Sequence, residues 1–419
     1  MSEAVIVGSG MTHFGKHGDR TMRSLASEAV AEALADAGIA ATEVGMAFYA
    51  NATGGILHGQ EMIRGQSALR ETGLLGIPIV NVENACASAS TAFTMAVMAV
   101  RSGTVDVALA IGCEKLSHPD KVRSLTAIAT AVDLQAEPET AALIGEILQG
   151  LPRHDPPAAG SGSKFMDIYA ERARAYMERS GATAHDFAVI AAKNQSNGAL
   201  NPKAQYQKVV TAEDVLASRH ISGPLTLLMC SPIGDGAAAV VVCSGDYARR
   251  LGVPAVGVEA VALLSGTDHA PGEPGAIARA VAKAYDQAGL GPDDVDVVEL
   301  HDAAAPGELW GYEDLQLCGK GEGPKLLASG ETHLGGRVPV NPSGGLLARG
   351  HPIGATGCAQ LVELADQLRG RADRRQVESP RIALAQNAGG SLGLDEASAV
   401  VTILSAPGVR ALTNAGGRA

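Results

Sequence analysis

Aromatic side chains are scarce in this chain: 3% of 419 residues, with a single Trp. A core must therefore be filled by small aliphatic groups. The 51 glycines suit tightly packed α/β layers with many close turns. Cysteine is sparse too. The six present show no CxxC spacing, which argues against a zinc site and against a disulfide scaffold. No stretch approaches the roughly 18 uncharged apolar residues of a membrane helix, so no membrane association is expected. Basic tracts interleaved with aromatics are absent, and the formal net charge is -12. So acidic a chain is a poor partner for a phosphate backbone, and nucleic acid is not an expected ligand. A ligand carrying phosphates would need local Lys and Arg to overcome the global field. The opening MSEAVIVGSG lacks a basic region followed by an apolar block, and TNAGGRA is not a peroxisomal address. The cytoplasm is the expected compartment. VGSGMTHFG has glycines after a strand but lacks the spacing and the downstream acidic residue of a dinucleotide site. No metal and no permanently bound cofactor is expected.

What is present is a globular composition, 46% apolar and 19% charged, with a design that occurs twice. LASEAVAEALADAGIAATEVGMAFY (25–49) resembles AIARAVAKAYDQAGLGPDDVDVVEL (276–300). Gly38 aligns with Gly289, Val44 with Val295, and Ala29-Val30-Ala31 with Ala280-Val281-Ala282, all at one separation. Each copy reads as an Ala-rich helix, a Gly cap, an acidic turn and a buried strand. A second echo follows. A helix from about Cys86 to Arg101, Gly103 and the strand VDVALAIG match a helix from about Ala355 to Leu368, Gly370 and the strand RIALAQN. These echoes predict two duplicated α/β halves: 1–118 with 208–250, and 251–419. The region 119–207 reads as an insertion covering the site. It holds the turn-rich PRHDPPAAGSGS, expected to be a mobile surface loop, and a helix over MDIYAERARAYMERSG.

Within NVENACASAST (81–91), Cys86 stands where the helix begins, among Ala and Ser. Unpaired N–H groups and the helix dipole are expected to stabilise its thiolate and lower its pKa. Its small neighbours leave room for a substrate carbonyl. The other cysteines, Cys113, Cys230, Cys243, Cys318 and Cys358, are expected to be buried and structural.

NVENACASAST resembles the nucleophile motif of the thiolase superfamily, and NPSGGLLARGHPIGATG resembles its C-terminal histidine motif. SPIGDGAAAVVV and GCEKLS resemble two further segments of the family. HDAAAPGELWGYEDLQLCGKGEG is similar to the matching part of sterol-carrier-type (lipid-transfer) thiolases. The likeness spans about residues 3–403. It implies a five-layer αβαβα sandwich of two duplicated halves, and an acyl group carried on Cys86. It implies that His351, in GHPIG, faces Cys86 and exchanges a proton with it. It implies that His301 helps form an oxyanion hole, with Asp302 orienting a neighbour. Gly389, in NAGG at the end of the strand RIALAQ, and the N–H of Cys86 are expected to form a second oxyanion hole. Ser231 matches a coenzyme A contact.

One departure stands out. The family's second catalytic cysteine lies either in the late CxGGG-like motif, here Asn387, or after the His-Asp pair, here Ala303. Both places are empty, which puts ordinary thiolysis in doubt. The expected function is transfer of an acyl group from acyl-CoA through Cys86 to a carbon acceptor (Claisen chemistry on 3-ketoacyl-CoA) or to another nucleophile. Two alternatives stay open. One is retro-aldol cleavage of a CoA-linked side chain with a small OB-fold, zinc-ribbon partner. The other is a non-catalytic acyl-CoA-binding scaffold subunit. The resemblance also implies a homodimer or tetramer assembled through the nucleophile-side sheet.

Overall fold

The computed structural model describes residues 3–136, 163–268, 272–393 and 395–409. Of the turn-rich tract, all but Ser163 lies outside the described residues. Among the described residues there are eleven strands: β1 (Ala4–Met11), β2 (Met46–Ala50), β3 (Ile79–Val82), β4 (Val107–Lys115), β5 (His220–Ser222), β6 (Leu225–Thr226), β7 (Asp235–Ser244), β8 (Val256–Ser265), β9 (Val297–Glu299), β10 (Ile382–Leu392) and β11 (Asp395–Ser405). Nine form one mixed sheet in the order β3-β2-β4-β7-β1-β8-β11-β10-β9, and β5 pairs with β6 apart from it.

The pairing repeats about the seam between β1 and β8, where only Val5 with Gly257 and Ile6 with Val256 are in register. Outward from β1 the pairs β1–β7 and β7–β4 are antiparallel, then β4–β2 and β2–β3 are parallel. Outward from β8 the pairs β8–β11 and β11–β10 are antiparallel, and β10–β9 is parallel. A parallel bridge from Val298 to Val340 then occupies the place that β3 holds in the first copy.

Helices complete five layers. Met22–Ala37 packs its Leu25, Ala29, Ala33 and Ala37 stripe on the outer face of β1, β4 and β7. Thr21 caps its start by accepting from Ser24 N, and Gly38 at φ 69° ends it, as Gly289 at φ 65° ends Ala276–Ala288. Ala276–Ala288 covers the opposite outer face, on β8 and β11. Ser88–Arg101 and Thr356–Leu368 lie side by side in the middle layer. They meet closely: a Cβ on Gly357 would stand 2.1 Å from Ser90 Oγ. β7, DGAAAVVVCS, is buried throughout because its residues are small enough to be covered on both faces. Among the described residues no helix is long and apolar enough to cross a membrane.

The expected elements are found with three differences. Both helices of the second echo begin slightly later than predicted, each behind a single 3-10 turn, Ala85–Ala87 and Ile353–Ala355. NAGG does not close its strand: β10 runs on to Leu392 and folds back as β11. Cys230 and Cys318 are half-buried, unlike the buried Cys113, Cys243 and Cys358.

Candidate active site

β3 delivers the chain to the turn that carries Cys86. Glu83 Oε1 accepts from Ala85 N at 2.6 Å. Ser88 Oγ accepts from Asn84 N at 2.9 Å and donates to Ala85 O at 2.6 Å. Ala85 itself is left-handed, at φ 47°. That conformation costs a residue with a Cβ about 1–2 kcal/mol, so the surrounding hydrogen bonds hold a strained turn. The turn places Cys86 two residues ahead of the helix, half-buried on a cavity wall.

The second copy supplies the imidazole. A Cβ on Gly112 would stand 2.1 Å from Gly354 O, so the GHPIG loop lies directly over the end of β4. His351 Nε2 sits 3.2 Å from Cys86 Sγ. Its Nδ1 is 2.7 Å from Thr356 Oγ1, and that hydroxyl donates to Pro352 O. The threonine proton is thus spent, Nδ1 must be the donor, and the lone pair of Nε2 faces the thiol. The ring of His301 stands edge-on to that of His351, with centroids 5.2 Å apart at 75°. Its backbone N donates to Gln386 Oε1 at 3.0 Å, while its buried Nε2 has no hydrogen-bond partner among the described residues.

The electrostatics reverse one expectation. Burial pushes the Cys86 thiol up to about 12, and the carboxylates of Glu396, Glu114 and Glu83 add to the rise. The backbone N–H of Cys86 opposes it, and more weakly. The resting sulfur is a neutral thiol, because loss of solvation and the nearby carboxylates outweigh the backbone N–H of the turn. Burial also lowers His301 to about 4 and holds His351 well below the ordinary imidazole range, with His301 and Arg349 adding to the latter. Cys86 and His351 therefore meet as an uncharged pair.

Gly389 packs against the Cys86 turn, where an added Cβ would lie 2.1 Å from Asn84 O and 3.0 Å from Cys86 N. Ser231 lines the cavity and its N donates to Ala303 O at 3.0 Å, beside the His301 loop. Asp302 is fully buried. Its oxygens accept from Leu346 N at 2.6 Å and Asn194 Nδ2 at 2.8 Å, which ties the His351 loop to β9. Sequence reasoning missed the rest of that buried scaffold. Arg349 Nη1 donates to Glu299 Oε2 at 2.8 Å, and Lys193 Nζ donates to Val340 O at 2.8 Å. The signal was there in the run of charged and amide residues inside otherwise apolar stretches, but it named no partners.

The cavity holds about 600 Å³. Phe165, Ile168, Leu125 and Ile128 give it an apolar wall, so the segments 121–131 and 163–172 do border the site. Lys16, Arg64, Lys121 and Arg219 also line it, a local basic set on an acidic protein. Ala303 lines it and offers no titratable group; Asn387 is buried, its Nδ2 donating to Gln360 Oε1 at 2.9 Å. Cys230 lines it too, its thiol turned to Thr226 O at 3.4 Å. The ligand atoms of Cys86, His301 and His351 lie within 4.8 Å of one another, a spacing that a metal ion could bridge. The setting favours proton transfer instead, since Nδ1 of His351 meets a hydroxyl and not the carboxylate that commonly steadies a ligating imidazole.

A thiol on one copy and an imidazole on the other, 3.2 Å apart, is a specific arrangement. Residues 4–246 match the thiolase N-terminal domain, and residues 265–406 match the thiolase C-terminal domain-like family. This chain belongs to the thiolase family. Its five layers are those of a thiolase-like αβαβα sandwich of two duplicated halves. The acetyl-CoA acetyltransferase of Methanothermobacter thermautotrophicus is 38% identical, covering 94% of this chain and 98% of its own. The benzoylsuccinyl-CoA thiolase subunit BbsB of Thauera aromatica is 38% identical, covering 92% and 94%. Bovine (Bos taurus) sterol carrier protein 2 is 36% identical, covering 92% of this chain and 69% of its own. Among solved structures, the Ltp2-ChsH2(DUF35) aldolase superposes with a TM-score of 0.75 at 29% identity, covering 96% of this thiolase-family chain and 98% of that one.

Proposed function

We propose that this thiolase-family protein is an acyltransferase that takes an acyl group from acyl-CoA onto Cys86 and passes it to a second substrate. The observation that carries this is the 3.2 Å approach of His351 Nε2 to Cys86 Sγ at the wall of a 600 Å³ cavity. As sulfur attacks the thioester carbonyl, Nε2 takes the thiol proton, so a thiolate never has to persist in the buried site. The carbonyl oxygen becomes an oxyanion and is met by the N–H groups of Cys86 and Gly389. The tetrahedral adduct collapses, the bond to the coenzyme A sulfur breaks, and that sulfur recovers the proton from His351. The acyl group then passes to a carbon acceptor, giving a 3-ketoacyl-CoA, or to another nucleophile. His301 Nε2, buried without a partner among the described residues, donates to the acceptor's thioester oxygen in this reading. Lys16, Arg64, Lys121 and Arg219 answer the need for local cations near the phosphates of coenzyme A, and Ser231 contributes a contact on the same wall. Coenzyme A thioesters are substrates here and not resident cofactors.

Intact-mass spectrometry after mixing with a panel of acyl-CoAs tests the reading. One acyl increment on the Cys86 peptide is expected, and none in Cys86→Ala. A Cys86→Ala protein that transfers labelled acyl groups at the unmutated rate sinks it.

The likeness to the Ltp2-ChsH2(DUF35) aldolase favours a second reading: retro-aldol cleavage of a CoA-linked side chain with a small OB-fold, zinc-ribbon partner. An aldehyde or ketone product formed without an acyl-enzyme would select it. Assembly as a homodimer belongs to the same proposal. β3 is the open edge of the sheet beside the Cys86 turn, and an unpaired edge invites a second copy. Light scattering of the purified protein decides the oligomeric state.

A further inference from the structure

The carbon–carbon step needs a group that removes a proton from the acceptor's α-carbon. Neither Ala303 nor Asn387 can do so. The other candidates near Cys86 are mostly committed. Glu114 is fully buried and satisfied by Asn51, Ala52, Thr53 and Gly354. Glu83 is exposed and bound to Ala85 N, and Glu61 pairs with Arg64 while 69% exposed. The Cys230 thiol faces Thr226 O, and burial raises it to about 12. His351 handles the Cys86 proton, and His301 Nε2 is already assigned as the donor to the acceptor's thioester oxygen.

Glu396 is left. It is the second residue of β11, which packs on the Ala85–Ala87 turn, and it lines the same cavity as Cys86. The backbone brings it there by the tight return after NAGG: Ser391 pairs with Glu396, and a Cβ on Gly390 would lie 3.2 Å from the Cβ of Ala397 and 3.8 Å from that of Ala85. Its side chain is only 15% exposed. Arg172 Nη1 holds its Oε1 at 2.7 Å, and the guanidinium rests 5.2 Å from the centre of the Trp310 ring, which Tyr169 stacks against. Its charge is also the largest charge effect on the Cys86 sulfur.

We propose that Glu396 is the acid–base residue of carbon–carbon bond formation, doing the work of the thiol that residues 303 and 387 lack. The assignment rests on the acyltransfer reading above. The carboxylate takes the α-proton of the acceptor thioester: the C–H bond breaks, an O–H bond forms on Glu396, and the electron pair moves into an enolate whose oxygen faces His301. The enolate carbon attacks the acyl carbonyl on Cys86. The C–C bond forms, the bond from the acyl carbon to Cys86 sulfur breaks, and the departing thiolate takes the proton that Glu396 holds. In the reverse direction Glu396 gives its proton to the departing carbanion.

Exchange of the acetyl-CoA methyl protons in D2O, followed by mass spectrometry on the full-length protein, isolates this step. The unmutated protein is expected to exchange them. Glu396→Gln is expected to slow exchange by about 100-fold or more while still forming the acyl adduct on Cys86. Glu396→Asp keeps the carboxylate and is expected to recover part of the rate. Retained acyl-adduct formation on Cys86 separates loss of chemistry from loss of fold, and the Glu396→Asp rate carries the test if Glu396→Gln fails to fold. Full-rate exchange in Glu396→Gln, or a folded Glu396→Asp no faster than Glu396→Gln, overturns the assignment alone. An unmutated protein that neither acylates nor exchanges brings down the acyltransfer reading together with it.

Discussion

Thr356 decides which ring nitrogen of His351 faces Cys86. Its hydroxyl donates to Pro352 O and leaves only a lone pair for His351 Nδ1, 2.7 Å away. The nitrogen 3.2 Å from the thiol is therefore the basic one. Thr356→Val keeps the shape and removes that control. We expect about a tenfold or greater fall in kcat/KM for acylation of Cys86, with Thr356→Ser restoring most of it. An unchanged rate in Thr356→Val would show that the tautomer is set elsewhere.

The neutral thiol gives a distinctive pH profile. With the Cys86 pKa near 12, the thiolate fraction rises about tenfold per pH unit over the whole accessible range. Alkylation of Cys86 by iodoacetamide in the absence of substrate is expected to climb with a logarithmic slope near one from pH 7 to pH 10. A plateau beginning near neutrality would instead signal a resting thiolate–imidazolium pair.

His301 makes stability depend on acid. Its pKa is 6.5 when unperturbed and about 4 in the fold, lowered by burial. Between those values the unfolded chain binds a proton that the folded chain refuses, so stability falls as pH drops through this window. The shift caps the contribution at about 3 kcal/mol. Thermal unfolding of His301→Asn is expected to depend less steeply on pH from 6.5 down to 4 than that of the unmutated protein. Equal slopes would place the acid sensitivity on other groups.

Gly389 has no room for a side chain. Its nearest neighbours are backbone atoms of the Cys86 turn, Asn84 O at 2.1 Å and Ala87 N at 2.6 Å from an added Cβ, and backbone cannot swing aside as a flexible side chain does. Gly389→Ala is expected to cost about 1–3 kcal/mol in stability and to depress acylation by more than tenfold. Denaturant unfolding and single-turnover acylation measure the two effects, and an acylation rate equal to that of the unmutated protein would refute the contact.

Much of the scaffold could be read before folding. Thr21 and Gly38 bracket a helix because caps are local chemistry, and Gly289 repeats that punctuation. Ala-rich and Val-rich periodicity told outer helix from buried strand for the same reason. Boundaries were less legible. The helix after Cys86 starts at Ser88 because a left-handed Ala85 and the bonds of Ser88 and Glu83 shape the turn ahead of it. NAGG reads as the end of a strand, yet β11 pairs with Asn387, Ala388 and Gly389 and the strand runs on to Leu392. The partnerships of the buried polar scaffold, Glu299 with Arg349 and Asp302 with Asn194, were not legible, since the partners lie far apart in the chain.

By itself the sequence determined the duplicated layers and marked Cys86, His301 and His351 as candidates, because periodicity, caps and motifs act over a few residues. Only the tertiary structure decided that the thiol and both imidazoles are uncharged, since solvation depends on everything that encloses a group and not on its neighbours in the chain. It alone also brought Glu396 to the cavity that holds Cys86, through a strand return whose course is fixed by pairing with β10.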